Sequence, residues 1–290
     1  MRTVKQIIKV IIIFYVIKIA ATLISEVLTI VLHFPFGLNP LKGELFTDPL
    51  AQGLMGIFGF AVMTAIPLLY WKLIHKKSLP ELGVTKRART YLIGIIIGTV
   101  LITVSAGAAL LTGSLQYHGL FAQPDVTMIL MSLGGFVFQG AYEELMCRGV
   151  VQQLMLEKTS VPAAVGVSAL LFTVPHLPAM IGGTPSLIVL GIYNLIVLSI
   201  LMSLITLYTK SIWATCALHT TWNFILYNIM GLNLSGTDVA AAVFDIRSAG
   251  SNILNGGEYG IEASIITAAV LTAAAGLFYV IYRKRSAKSL

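Results

Sequence analysis

The sequence predicts an all-α, polytopic membrane protein of about eight transmembrane helices. Three observations predict it. First, 57% of the 290 residues are hydrophobic and only 11% are charged, less than half the roughly 25% charge of a soluble domain; the mean hydropathy is +0.89. Second, apolar stretches of about 20 residues, enough to cross a bilayer, recur along the chain. Third, Lys and Arg gather in alternate connections between those stretches. The same figures exclude a disordered chain, which needs low hydrophobicity and high net charge.

The stretches follow in order at 7–32, 52–73, 91–112, 127–154, 161–181, 187–208, 211–231 and 262–282. Arg2, Lys5 and Lys9 precede or open the first. It is too long for the apolar region of a signal peptide and lacks a small-residue cleavage site. Within it Lys18 and Glu26 are eight residues apart and share a helical face; Lys18 is expected to snorkel or to face a neighbouring helix. Lys72, Lys76, Lys77, Lys86, Arg87 and Arg89 cluster between the second and third stretches. Lys158 and Lys210 mark the fourth and sixth connections, and Arg283, Lys284, Arg285 and Lys288 follow the last stretch. Fifteen of the 19 basic residues thus fall on one side, against Lys42 and Arg247 on the other. The positive-inside rule then puts both termini in the cytoplasm. The net charge of +7 is an orientation signal, and no nucleic-acid partner is expected. The longest connection, 232–261, holds Asp238, Asp245, Arg247 and Glu258. The chain divides into 1–126, 127–231 and 232–290. Cys147 and Cys216, both in apolar stretches, are expected to be reduced and buried.

Ionisable residues at membrane depth are costly and point to function. The fourth stretch reads GGFVFQGAYEELMCRGVVQQL. Glu144 and Arg148 are i,i+4 and share a face, while Glu143 points about 100° away. Arg148 can therefore neutralise Glu144 and leave Glu143 to face a cavity as a general base. In the fifth stretch, FTVPHLP, Phe172 and His176 are i,i+4, and Pro175 and Pro178 should break the helix beside a polar pocket. In the seventh, His219 and Asn223 share a face, a pair that can donate to a developing oxyanion. Counted from the turn near Thr159, Glu143 and His176 come level, roughly 24 Å along their helices. One polar site built from three helices follows, in the cytoplasmic half or near the midplane.

Glu143 to Arg148 fits E-E-x-x-x-R, Phe172 to His176 fits F-x-x-x-H, and His219 to Asn223 fits H-x-x-x-N. In order and spacing, the three motifs resemble those of the CPBP family, the CAAX proteases and bacteriocin-processing enzymes also called the Abi family. The resemblance covers about residues 127–231. Cys147 departs from it, standing where many members have an aromatic residue. The resemblance implies an intramembrane endopeptidase of the cell membrane. Glu143 would be its general base, assisted by His176, with His219 and Asn223 as the oxyanion hole. Glu144, Arg148 and Phe172 would support them. The substrate would be a membrane-associated protein or peptide, cut near the cytoplasmic membrane surface. No cofactor is expected, although Glu143, His176 and His219 are also a set that could ligate zinc; H-E-x-x-H is absent. Two other readings compete: a non-catalytic immunity or scaffold protein with the same polar core, and a proton-coupled transporter. Against the latter, the halves show no matching broken helices.

Overall fold

The computed structural model describes residues 2–87 and 89–287; Lys288 of the C-terminal cation group lies outside them. The chain is an all-α bundle of eight long helical segments. Helix α1 is Arg2–His33, α2 is Pro49–Leu69 continued by a π turn at Tyr70–Ile74, and α3 is Arg89–Leu111. Strand β1, Leu115–Leu120, leads to α4, Val126–Glu144, which runs through a π segment, Leu145–Val151, into α5, Gln152–Leu156. Helix α6, Val161–Thr173, tightens into a 3-10 segment, Val174–Met180. Then come α7, Pro185–Thr209, and α8, Trp213–Phe224, the latter with a π turn at Ile225–Ile229. Strand β2, Phe244–Ser248, and α9, Ile265–Ala287, complete the chain. Local chemistry sets several ends: Asp48 and Asp125 cap α2 and α4 by accepting from the amides of Ala51 and Met128.

Helix α1 shows why the bundle belongs in a bilayer. Val10, Phe14, Ile17 and Ala21 face the protein, while Val4, Ile8, Ile12, Val16, Ile19, Leu23, Val27 and Val31 form an exposed apolar stripe. In water such a stripe would be a severe liability. Among the described residues, six segments are long and apolar enough to cross a membrane: Thr3–Phe36, Pro49–Ile74, Arg89–Leu111, Val161–Met180, Pro185–Thr209 and Ile265–Arg285. The other two long segments, 126–156 and 213–229, carry the polar motifs and pack among them, α4 against α2 and α8, and α8 against α3 and α7. This is an integral multi-pass membrane fold.

Contacts define the two ends of the bundle. At the cation-rich end, Gln6 donates to the Leu154 carbonyl, Arg87 to that of Thr209, and the Ile212 amide to Gly83. Glu157 accepts from Lys77 at 2.7 Å and pairs with His75 at 2.9 Å. Burial would raise the Glu157 carboxyl, but these partners outweigh it and hold it below the usual carboxylate range. At the other end β1 and β2 pair antiparallel, with Leu115 opposite Ser248. FDIRS alternates apolar and polar, but five residues are too short a signal to place a strand.

Helix α8 is seated by two glycines. Gly94 and Gly98 lie four apart on α3, the small-xxx-small spacing that lets membrane helices approach closely. A Cβ at Gly94 would overlap the Ala214 carbonyl, and one at Gly98 would come within 2.8 Å of the Leu218 carbonyl oxygen. Gly94→Ala should therefore cost about 1–3 kcal/mol by overpacking and displace α8. A lowered thermal midpoint in detergent checks this, and an unchanged midpoint would contradict the packing argument.

Candidate active site

The site begins with a charge at zero exposure. Arg148, within the π segment after α4, is fully buried. Its Nη1 donates to Glu144 Oε1 at 3.0 Å and its Nη2 to Ser199 Oγ of α7 at 2.9 Å. The guanidinium lies 4.6 Å from the Phe172 ring centroid, a cation–π contact with α6. Glu144 carries the network on to α8: His219 Nδ1 stands 3.2 Å from Glu144 Oε1. The carboxylate accepts, so Nδ1 bears the proton and Nε2 is the atom left to face the cavity. The π segment opens the helix by a residue where this network forms, a distortion that recurs at functional sites.

Glu143 turns the other way, half-buried. Its Oε2 is 3.9 Å from His176 Nε2 and 4.0 Å from His219 Nε2. His176 sits in the 3-10 segment after α6, where Pro175 and Pro178 end the regular helix. Its Nδ1 donates to the Phe172 carbonyl at 2.8 Å; a carbonyl can only accept, so neutral His176 presents its Nε2 lone pair towards Glu143. Asn223 is buried one turn beyond His219 on α8. It lines the same cavity, of about 150 Å³, as His176, His219, Phe172 and Trp222. At about 30 Å³ per water the space holds several.

The structure thus brings Glu143, His176 and His219 together, puts Asn223 on the cavity that the two histidines line, and gathers Glu144, Arg148 and Phe172 behind them. Gln139 sits one turn before Glu143, and its Nε2 donates to Glu143 Oε1 at 3.3 Å. Sequence reasoning left Glu143 without a local partner, although the i,i+4 spacing could have found this one. Glu262 also escaped notice, because it stood at the head of the last apolar stretch. It lies instead in the 3-10 turn Ile261–Ala263 and lines the cavity. Its Oε1 accepts from Trp222 Nε1 at 3.1 Å, and its Oε2 accepts from the Ser235 amide and hydroxyl at 2.8 and 2.9 Å. Ser199, the second partner of Arg148, carries no signal in the sequence.

Lys18 faces neighbouring helices, the second of the two settings expected of it. It lines a second cavity, of about 160 Å³, with Phe14, Tyr142, Glu143 and His176. Cys147 and Cys216 are free and buried, as their apolar settings imply.

For zinc the spacing is informative. Tetrahedral bonds of about 2.1 Å put ligand atoms about 3.4 Å apart. The 3.9 and 4.0 Å separations around Glu143 are wider, and among the described residues no group of three or more His, Cys, Asp or Glu is arranged to hold a metal. The same separations let two groups share one water through bonds of about 2.8 Å.

Arg148→Met removes one partner of the buried pair and strands Glu144. A loss of about 3–5 kcal/mol is expected, read as a collapse of folded, monodisperse protein in detergent. Recovery in the double variant Arg148→Met, Glu144→Gln would show that the stranded charge, not the lost side-chain volume, is responsible.

No curated protein matches the chain. Residues 125–225, about a third of its length, match the family model described as Type II CAAX prenyl endopeptidase Rce1-like. They run from the Asp125 cap of α4 to the end of α8 and enclose all three motifs. The family is one of CAAX-type intramembrane proteases. The segment that builds this site is therefore similar to the Type II CAAX prenyl endopeptidase Rce1-like family.

Proposed function

We propose that the protein is an intramembrane endopeptidase of the cell membrane that hydrolyses a peptide bond in a membrane-associated protein or peptide, using water activated by Glu143 and no metal. The observation that carries this reading is the Glu143 carboxylate, within 4.0 Å of the Nε2 atoms of two histidines from different helices, on a cavity of about 160 Å³ that His176 also lines.

A water between Glu143 and His176 gives up a proton to the carboxylate as its oxygen adds to the scissile carbonyl carbon. Such proton transfer is worth about 10²–10⁴ in rate. The carbonyl oxygen becomes an oxyanion and takes hydrogen bonds from His219 Nε2–H and the Asn223 amide. His219 can donate from Nε2 only if that atom is protonated while Nδ1–H stays on Glu144. Two carboxylates facing one guanidinium supply the negative charge that balances such an imidazolium. When the C–N bond breaks, the proton held by Glu143 passes to the leaving amine. His219 is held by Glu144 before substrate arrives, which limits the reorganisation that opposes the reaction.

Purified protein should cleave a membrane-anchored peptide. Glu143→Ala should lower the rate by about 10²–10⁴ and His219→Ala by about 10²–10³, with unchanged elution in detergent. Equal cleavage by the wild type and both variants would sink the assignment. Activity should also persist after chelation with metal removal verified by elemental analysis. Loss restored by added zinc would replace the metal-free mechanism with a zinc one.

A further inference from the structure

We infer that Lys18 and Tyr142 form a subsite beside Glu143 that binds a carboxylate of the substrate. This deepens the protease reading and rests on it for the identity of the ligand as a peptide.

The placement of Lys18 is the first observation. Phe14 and Lys18 are i,i+4 on α1, so successive turns of that helix present both to one side. They line the cavity of about 160 Å³ that Glu143 lines from α4 and His176 from the segment after α6. An ionisable side chain within a membrane span that faces such a cavity points to the path of a substrate or ion. Lys18 lies outside residues 125–225, the segment matched by the family model. The first helix of this chain therefore adds a cation to a site whose three motifs lie elsewhere.

The second observation is that donors on this cavity are unused. Lys18 is half-buried and forms no hydrogen bond or ion pair with any described residue, Glu143 included. Tyr142 lines the same cavity at 5% exposure, and its hydroxyl has no hydrogen-bond partner. A buried hydroxyl left unpaired is costly, and one in a folded protein calls for a partner. An ammonium has three donors and no acceptor, and the phenol supplies a fourth donor. What the cavity lacks is an acceptor, and the ammonium favours an anionic one.

The third observation is the charge count. With His219 as the imidazolium of the proposed reaction, Glu143 and Glu144 balance it and Arg148. Lys18 is then one cation in surplus, in surroundings of low dielectric. A substrate carboxylate cancels it, and Lys18 offsets the repulsion that Glu143 would exert on the incoming group. Carboxylates are the anions that an unmodified peptide offers, at its C-terminus and on Asp and Glu side chains.

The test uses the full-length protein in detergent and four membrane-anchored peptides of otherwise one sequence. They end in a free acid or a carboxamide, each with or without one Asp. A carboxylate that enters the subsite should lower KM about 10–100-fold with little change in kcat, as for a uniform hydrogen bond to a charged group. A preference for acid over amide assigns the chain terminus to the subsite; a preference for Asp at either end assigns the side chain. Lys18→Met should abolish the preference, Lys18→Arg should keep it, and Tyr142→Phe should weaken it about 2–10-fold, all three eluting as the wild type does. Equal KM for all four peptides in the wild type overturns the inference. So does a loss in Lys18→Met that falls equally on all four. Fluorescence anisotropy of the same peptides on Glu143→Ala, with and without Lys18→Met, reads binding apart from cleavage. A carboxylate preference in binding that Lys18→Met removes, with no cleavage by the wild type, supports the subsite and counts against the protease reading alone.

Discussion

Everything around the site depends on one guanidinium that has no access to water. Taking an arginine out of solvent is expensive, and the expense is met only if each donor finds a partner in a fixed place. Arg148 obliges Glu144 on its own helix, Ser199 on α7 and the Phe172 ring on α6 to hold their positions. Glu144 then binds His219 on α8. Four helix segments that could otherwise slide past one another at little cost are keyed together at this level. In a bilayer, where apolar surface gains little by leaving lipid for protein, such polar keys and close small-residue contacts set the packing.

This arrangement also separates two roles that adjacent carboxylates would otherwise confuse. Glu144 is wholly buried and committed to cations. Glu143, one residue earlier and about 100° around the helix, has only Gln139 within bonding reach and stands before a cavity. The helical twist alone lets the pair be neighbours in sequence and strangers in environment.

Most of the membrane architecture was legible in the sequence, because in a bilayer length and hydropathy nearly determine a helix and cation placement orders the connections. The eight expected stretches agree with the observed helical segments to within about five residues, the largest shifts falling at the start of α1 and the end of α9. The motif residues could be assigned to faces because i,i+4 spacing is local. What stayed hidden was non-local. The roof over the cavity needs Glu262 to meet Trp222 and Ser235, three residues from separate segments. The π segment at Leu145–Val151 follows from how the keyed helices fit, not from any residue within it. The seating of the Leu82–Gly83 turn against Gly149 and Ile212 was equally hidden, since it joins three segments far apart in the chain.

Helix α1 has a consequence of its own. At 32 residues it is about 48 Å long, against about 30 Å of hydrocarbon, so its start, with Lys5 and Lys9, stands beyond the hydrocarbon or the helix leans. Its inclination is governed by membrane thickness as well as by protein contacts, since a long helix tilts to hide its excess length. Phe14 and Lys18 ride on that helix and form one wall of the second cavity beside Glu143. A thicker membrane stands the helix up and a thinner one lays it down, moving an ammonium group relative to a carboxylate. The lipid composition of the membrane thereby becomes a mechanical input to the electrostatics of the site.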